Sequence, residues 1–264
     1  MQESDVALLQ AAARHAGDIA LSYFKRNPDV TDKPDGAGPV TAADLAVNAM
    51  LESMLQAARP DYGWLSEETE DTPARLSTRR QFVIDPIDGT RAFIDGSNDW
   101  AHSLAIVEDG VPVAAAVYLP VHGMMFSAGR AAGATLNGGA INVSAPARLE
   151  DAVVLGTKVN FDGRHWKDGT PPPVKRAFRA SLAYRLCLVA QGQFDGMITL
   201  RPTWEWDIAA GALIAAEAGA VVTDPAGKAL RFNNPEPKVP GVLMGGAMLH
   251  GSLAAHLEAS PPKT

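Results

Sequence analysis

Two amphipathic segments open the chain. Residues 4–26 carry apolar side chains at helical spacing, with Ser4 as a candidate N-cap, and residues 42–58 repeat this spacing after Thr41. The segment between them, residues 27–40, is polar and rich in proline and glycine. The pattern predicts two antiparallel helices on one face of a sheet, joined by a loop of the kind that often carries function.

Short apolar and alternating runs follow the second helix. They predict strands near 62–66, 82–84, 101–108, 111–119 and 123–137. An Asp109-Gly110 turn joins two of these strands as a hairpin. Polar connections are predicted at 71–80 and 91–99. We therefore expect an antiparallel sheet beneath the helix pair.

From about Asn142 the pattern alternates between strands and helices. Strands are predicted at 152–156, 194–200 and 221–223, and helices at 181–191 and 206–218. This alternation is typical of α/β layers. The sequence thus predicts an α/β fold with an amino-terminal lobe, residues 1–141, and a carboxy-terminal lobe, residues 142–264, around one cleft.

Composition narrows the function. The chain has 264 residues, of which 47% are apolar, enough for one large domain or two joined lobes. The net charge of −7 and the lack of a basic block argue against a nucleic-acid polymer as partner. A single cysteine, Cys187, precludes an internal disulfide and fits a reducing compartment. With no signal-like or membrane-spanning run, we expect a soluble cytoplasmic protein with no membrane partner.

The segment that ends the 82–84 strand carries the clearest chemical signal. Asp85 and Asp88 stand three residues apart where apolar Phe82-Val83-Ile84 gives way to Pro86 and Gly89. Two close carboxylates repel each other unless a cation lies between them. Carboxylate oxygens on a short loop suit Mg²⁺. The alternative is an ordinary turn with solvated aspartates.

Further acidic residues stand at predicted element ends. Glu67 and Glu68 follow a short strand, and Asp207 opens a helix. Taken singly, each has an ordinary explanation: a solvated strand end for the glutamates, and for Asp207 a helix cap worth about 1 kcal/mol. Their occurrence together in one chain favours a site.

Four motifs together resemble the inositol monophosphatase superfamily of Mg²⁺-dependent, lithium-sensitive phosphatases. They are Thr41-Ala42-Ala43-Asp44, Ser66-Glu67-Glu68, Asp85-Pro86-Ile87-Asp88-Gly89-Thr90 and Trp206-Asp207 with the small-residue helix after it. Their order and spacing match that family over most of the chain. The resemblance implies a layered α/β/α/β/α sandwich and a homodimer.

The resemblance also implies a ligand set. Two or three Mg²⁺ are expected to be bound by the side chains of Glu67, Asp85, Asp88 and Asp207 and by the carbonyl of Ile87. Glu68 is expected to support these ligands without binding the metal itself. A metal pair about 3.5–4 Å apart would neutralise the phosphoryl oxygens, generate the nucleophile and stabilise the leaving alkoxide.

The remaining catalytic roles follow from the same resemblance. Asp44 and Thr90, together with Glu67, are expected to orient and activate the attacking water. The backbone N–H groups of Gly89 and Thr90, at a helix start, are expected to hold phosphate oxygens. The 27–40 loop precedes Asp44, so we expect it to close over the metals.

The substrate is less determined than the reaction. Inositol-specific members have a Gly-Thr-Ala-Ala stretch and a glutamate seven residues before the last metal aspartate; here Ala180-Ser181-Leu182-Ala183 and Leu200 stand there. Bisphosphate nucleotidases have a lysine two residues before the helix cysteine, where this chain has Arg185. Arg185 and Arg201 are candidate phosphate contacts, and Ser181 is a further candidate substrate contact.

These features predict a Mg²⁺-dependent phosphomonoesterase acting on a small phosphorylated metabolite. The motifs favour 3′(2′),5′-bisphosphorylated adenosine, with AMP as product, over an inositol monophosphate and then histidinol phosphate. Trp204 and Trp206 are candidates to flank a purine, with core packing as the alternative. A regulatory binding protein without catalysis is the competing class, against which the full set of ligands argues.

Overall fold

A computed structural model of the chain describes residues 4–26, 29–33, 38–146 and 148–258. Its α-helices are α1 (Asp5–Tyr23), α2 (Ala42–Ala58), α3 (Thr90–Ile94), α4 (Leu182–Ala190), α5 (Glu205–Glu217) and α6 (Ala247–His256). Its first nine strands are β1 (Val30–Asp32), β2 (Pro39–Thr41), β3 (Gly63–Ser66), β4 (Arg80–Asp88), β5 (Ala101–Glu108), β6 (Val111–Leu119), β7 (Met124–Gly129), β8 (Ala134–Leu136) and β9 (Gly139–Ala140). The later strands are β10 (Val153–Leu155), β11 (Lys175–Ala177), β12 (Gly196–Thr199), β13 (Thr203–Trp204), β14 (Val221–Thr223), β15 (Lys238–Val239) and β16 (Val242–Gly245).

The larger sheet has seven strands in the order β3-β4-β5-β6-β7-β8-β9. Its pairs are antiparallel except the first, because β3 runs parallel to β4. The prediction of a wholly antiparallel sheet is wrong at this edge. The connection from β3 to β4 contains a 3₁₀ turn at Pro73–Ser77, and a crossover of such length allows parallel pairing where a tight hairpin does not.

Both faces of this sheet are covered by helices. Along β4, Phe82 and Ile84 pack in the cluster formed with α1 and α2, whereas Val83 packs in the cluster formed with α4 and α5. Successive strand side chains point to opposite faces. This is why the strand is an unbroken apolar run in the sequence rather than an alternating one.

The second sheet has five strands in the order β11-β10-β12-β16-β14. β10 runs parallel to its neighbours β11 and β12, and β16 runs antiparallel to its neighbours β12 and β14. α4 and α5 lie between the two sheets, and α6 packs on the outer face of the second. Counted across the molecule, α1 and α2, the first sheet, α4 and α5, the second sheet and α6 form five layers. The predicted layered α/β/α/β/α fold is confirmed.

The predictions of helix caps are confirmed, whereas two of the predicted loops contain regular structure. The N-cap prediction for Ser4 is confirmed, since its side chain accepts from the Ala7 N–H, and Thr41 forms a capping box with Asp44. The 27–40 segment is not all loop, because β1 and β2 pair in it; residues 27–28 and 34–37 lie outside the described residues. The 91–99 connection likewise begins in α3, a helix too short to show a period.

The two sheets are drawn from different halves of the chain, whereas the division into lobes at 141/142 stays a prediction. No helix among the described residues combines the length and the apolar character that crossing a bilayer requires.

The central helix layer depends on close approach at one glycine. A Cβ added at Gly211 of α5 would lie 2.6 Å from Cβ and Cδ1 of Leu186 on α4. We expect Gly211→Ala to lower the free energy of unfolding, because overpacking a core costs roughly 1–3 kcal/mol.

Gly251 in α6 is the matched control, since no described atom lies within 4 Å of its added Cβ. Gly251→Ala should raise stability by up to about 1 kcal/mol through helix propensity alone. Denaturant unfolding of both variants measures the difference. A Gly211→Ala protein as stable as Gly251→Ala would show that α4 and α5 are not closely packed there.

Candidate metal and phosphate site

The acidic loop begins with an irregularity in the β4–β5 ladder. Asp85 pairs with Ser103 and Asp88 with Ala101, so three steps on β4 oppose two on β5. One extra residue in a strand reverses the alternation of side chains and bends the strand. This bulge allows both aspartates, three positions apart, to face the same side.

His102 holds the bulge from the neighbouring strand. Its Nδ1 is hydrogen-bonded to the carbonyl of Pro86, and its ring is fully buried. Burial lowers the pKa of His102 to about 4, so the ring is neutral near pH 7 and Nδ1 carries the donated proton. The peptide between the two aspartates therefore has a fixed orientation. Nothing in the sequence pattern pointed to this histidine.

Asp207 reaches the same place from the central helix layer. It lies in the first turn of α5, and the carbonyl of the preceding residue, Trp206, accepts from Ser103 Oγ at 2.8 Å. Carboxylate oxygens of Asp85, Asp88 and Asp207 all lie within 4.8 Å of one another. Residues 122 positions apart in the chain thus form one acidic cluster.

The cluster is electrostatically unfavourable by itself. Burial, followed by the charges of Glu67, Asp88 and Asp207, raises the pKa of Asp85 well above its usual value. Burial raises the pKa of Asp88 to about 6, although Ser181 Oγ at 2.5 Å and the Ala183 N–H at 2.6 Å both donate to its Oδ2. Burial and the neighbouring acids likewise raise the pKa of Asp207.

These residues fit a hard divalent cation. Asp85 Oδ1 is buried and has no hydrogen-bond partner among the described residues. An orphaned buried carboxylate oxygen beside two further carboxylates is a costly arrangement unless a cation neutralises it. Oxygen ligands at this density are those that Mg²⁺ binds.

Asp44 and Thr90 lie beside the cluster. One carboxylate oxygen of Asp44, Oδ2, accepts from the backbone N–H and hydroxyl of Thr41 in the capping box. The other, Oδ1, lies 3.3 Å from Thr90 Oγ1, which is also 3.1 Å from the Ile87 carbonyl oxygen. The helix cap therefore leaves one oxygen of Asp44 free to face the threonine.

Gly89 connects this pair to the aspartates. Its φ of 99° lies in the left-handed region, and an added Cβ would be 3.2 Å from the Asp99 carbonyl oxygen. Only glycine takes this conformation at little cost. It forms the N-cap of α3, so the chain turns directly from Asp88 to Thr90.

The structure adds a residue that sequence reasoning missed. Lys33 Nζ lies 2.7 Å from Glu67 Oε1 and 2.6 Å from Glu68 Oε1. Glu67 is outside the three-aspartate group, although its charge acts on all three aspartates. Burial raises the pKa of Glu68 to about 7. Lys33 is the sole Lys or Arg in the 27–40 sequence, and this could have identified it as a partner for the acidic residues.

The predicted substrate contacts differ in their surroundings. Ser181 is fully buried and its hydroxyl donates to Asp88, so it supports the acidic cluster. Arg185 is 7% exposed; its Nε donates to the Arg179 carbonyl at 2.6 Å, and it interacts electrostatically with Asp88. Arg201 is exposed, and its charge acts on Asp207 and on Arg185.

The two tryptophans near Asp207 do not form a slot. Trp204 and Trp206 stack on each other with centroids 4.7 Å apart and planes at 10°. Lys238 Nζ lies over the ring of Trp204, 4.1 Å from its centroid. The packing alternative holds for this pair, because no space separates the rings.

Comparison with known proteins agrees with this geometry. The model of the inositol monophosphatase family matches residues 1–261. The chain belongs to this family.

Individual relatives carry different names. The Escherichia coli K12 3′(2′),5′-bisphosphate nucleotidase CysQ is 32% identical over 230 residues, covering 83% of this chain and 90% of that protein. The Rhizobium meliloti inositol-1-monophosphatase is 36% identical over 202 residues, covering 71% and 73%. The solved structure of the Thermotoga maritima IMPase superposes with a TM-score of 0.79 at 29% identity, covering 93% of each chain.

The raised carboxylate pKa values predict the pH dependence of stability. The pKa of Asp88 is raised from its ordinary value of 3.8 to about 6, and the pKa of Glu68 is raised from 4.5 to about 7. An acid whose pKa is higher in the folded state favours folding when protonated and disfavours it when ionised. We expect the metal-free protein to lose stability as the pH rises from about 4 to about 7, and Mg²⁺ to restore it near pH 7.

Denaturant unfolding across this pH range, with a chelator and with Mg²⁺, measures the effect. Asp88→Asn removes one of the titrating groups and should make the metal-free profile shallower. Metal-free protein whose stability rises steadily toward pH 7 would contradict the assignment.

Proposed function

We propose that this member of the inositol monophosphatase family is a Mg²⁺-dependent phosphomonoesterase whose ligands are Glu67, Asp85, Asp88, Asp207 and the Ile87 carbonyl. The observation that supports it most is the convergence of Asp85, Asp88 and Asp207 beside the Asp44–Thr90 pair. Bound Mg²⁺ would neutralise the phosphoryl oxygens and make water a nucleophile near neutral pH.

The chain's own residues then position and deprotonate the water. Thr90 Oγ1 can pass its own proton to Asp44 Oδ1 as it takes a proton from the water, so that the water becomes hydroxide and the carboxylate of Asp44 finally holds the proton. Asp44 is kept in place by the two bonds to its other oxygen. The N–H groups of Gly89 and Thr90 are proposed to hold phosphate oxygens at the start of α3.

Lys33 places a positive charge beside Glu67 and Glu68. Its ion pairs join the 27–40 segment to Glu67 and Glu68, consistent with closure of that segment over the metals. A homodimer, and inhibition by lithium, remain predictions.

Asp88→Asn tests the metal mechanism. Losing one carboxylate from the cluster should reduce phosphate release by on the order of 10²-fold or more, since it impairs charge neutralisation and water activation together. Turnover against Mg²⁺ concentration measures this. Glu150→Gln, an exposed acid paired with Arg148, is the matched control and should retain activity.

The result also separates the two functional classes. A regulatory binding protein without catalysis would release no phosphate in either form. Turnover that is unchanged in Asp88→Asn would refute the proposed ligand set.

For the substrate we propose a 3′(2′),5′-bisphosphorylated nucleoside. The support is the pair of guanidinium groups beside the aspartates: Arg185 acts electrostatically on Asp88, and Arg201 on Asp207. A second phosphate gives these cations a partner that an inositol monophosphate lacks. The inositol ester is the second candidate, since a relative of comparable identity bears that name.

Arg201→Ala is the sharper test of the second phosphate. Arg185 also holds backbone carbonyls, so its removal would disturb the Asp88 environment for every substrate. Among the described residues, the Arg201 side chain donates only to the Pro202 carbonyl, at 3.5 Å. Its loss should raise KM for adenosine 3′,5′-bisphosphate by about 10-fold, as expected for one charge-assisted contact.

The same variant should leave KM for inositol 1-phosphate within about twofold, because no second phosphate is present to lose a contact. Arg148→Ala, exposed and paired with Glu150, is the control. Equal losses on both esters would remove Arg201 from the recognition of a second phosphate.

A further inference from the structure

One exposed aromatic ring near the site has an open face. Of the large apolar side chains exposed in the described chain, two are aromatic, Phe178 and Trp204. Trp204 is stacked on Trp206 and has Lys238 Nζ over its ring. Phe178 is 47% exposed and has the Arg185 guanidinium over one face, 4.4 Å from the ring centroid. Its other face is available to a ligand.

The ring is held in place before any ligand binds. Arg185 is itself buried, and besides covering Phe178 it donates from Nε to the Arg179 carbonyl and from Nη2 to the Ala180 carbonyl. One guanidinium therefore fixes both the ring and the two peptide groups that follow it. A group that is already ordered loses little entropy on binding.

The ring also stands close to the acidic cluster. Phe178 is three residues before Ser181, whose hydroxyl donates to Asp88. Three residues of extended chain span at most about 10 Å. Arg185, behind the ring, interacts electrostatically with Asp88. The chain therefore keeps the Cα of Phe178 within about 10 Å of the Cα of Ser181, and so near a phosphate ester held at the aspartates.

We propose that the nucleobase of the substrate stacks on the open face of Phe178. The inference rests on the proposed phosphomonoesterase function and narrows its substrates to nucleotides. Bases stack on aromatic side chains regardless of their hydrogen-bonding edges, and a guanidinium against the opposite face adds a favourable cation–π contact. A polyol such as inositol offers no π face to this ring.

The experiment compares substrates with and without a base. For Phe178→Ala we expect KM for adenosine 3′,5′-bisphosphate to rise on the order of 10-fold, with kcat within about twofold, as for loss of one stacked base. KM for glycerol 2-phosphate should not change. Phe178→Tyr keeps the ring and should match the wild type, whereas Phe178→Leu keeps apolar bulk and should resemble Phe178→Ala.

A binding measurement tests the base site independently of turnover. Calorimetry in Mg²⁺ should show AMP binding more tightly than ribose 5-phosphate to the wild type, with the difference lost in Phe178→Ala. Trp204→Ala removes a ring that already contacts Trp206 and Lys238, and this variant should keep that difference.

Three results would overturn the proposal. One is a Phe178→Ala protein whose KM changes equally for adenosine 3′,5′-bisphosphate and for glycerol 2-phosphate. Another is wild-type protein that binds AMP no more tightly than ribose 5-phosphate. The third is a Phe178→Ala protein with altered sedimentation but unaltered KM, which would make the ring a contact between subunits. Absence of phosphate release from every ester, with base-dependent AMP binding intact, would instead reject the phosphomonoesterase function and leave the base site standing.

Discussion

Mutual repulsion among Asp85, Asp88 and Asp207 is the constraint on which the rest of the site depends. Their carboxylate oxygens lie within 4.8 Å of one another, and Asp85 Oδ1 has no hydrogen-bond partner in the part of the chain that the structure describes. Such an arrangement forms only where the surrounding fold imposes it and a cation relieves it. The cost in stability that we expect for the metal-free protein and the divalent-cation binding that we propose therefore have the same physical origin.

The fold imposes this arrangement through its layers. The bulge in the first sheet turns Asp85 and Asp88 to one side, and His102 secures the intervening peptide. The central helices supply the rest: α5 brings Asp207, and Ser181, at the start of α4, holds Asp88. α4 and α5 are packed on both faces, which is the kind of support that preorganised catalysis requires.

Several residues carry two roles, and this limits how substitutions can be interpreted. Asp44 closes a capping box with one oxygen and faces Thr90 with the other. Arg185 supports two backbone carbonyls, covers Phe178 and acts electrostatically on Asp88. Removing either group changes local structure together with chemistry. Substitutions at exposed residues with few internal contacts, such as Arg201 and Phe178, test substrate recognition with less effect on folding.

The sequence by itself determined the caps at Ser4 and Thr41 and the succession of strands and helices, because capping residues and hydrophobic period are local properties. The five-layer fold and the full ligand set were implied by the family resemblance that its short motifs carry. Sequence reasoning missed the parallel β3–β4 pair, the β1–β2 hairpin, Lys33 and His102, and it left open whether Trp204 and Trp206 form a slot. Those features depend on contacts between residues far apart in the chain, such as Lys33 with Glu67 and His102 with Pro86. Only the tertiary structure decided them, since pairing across a sheet or between loops has no period in the sequence.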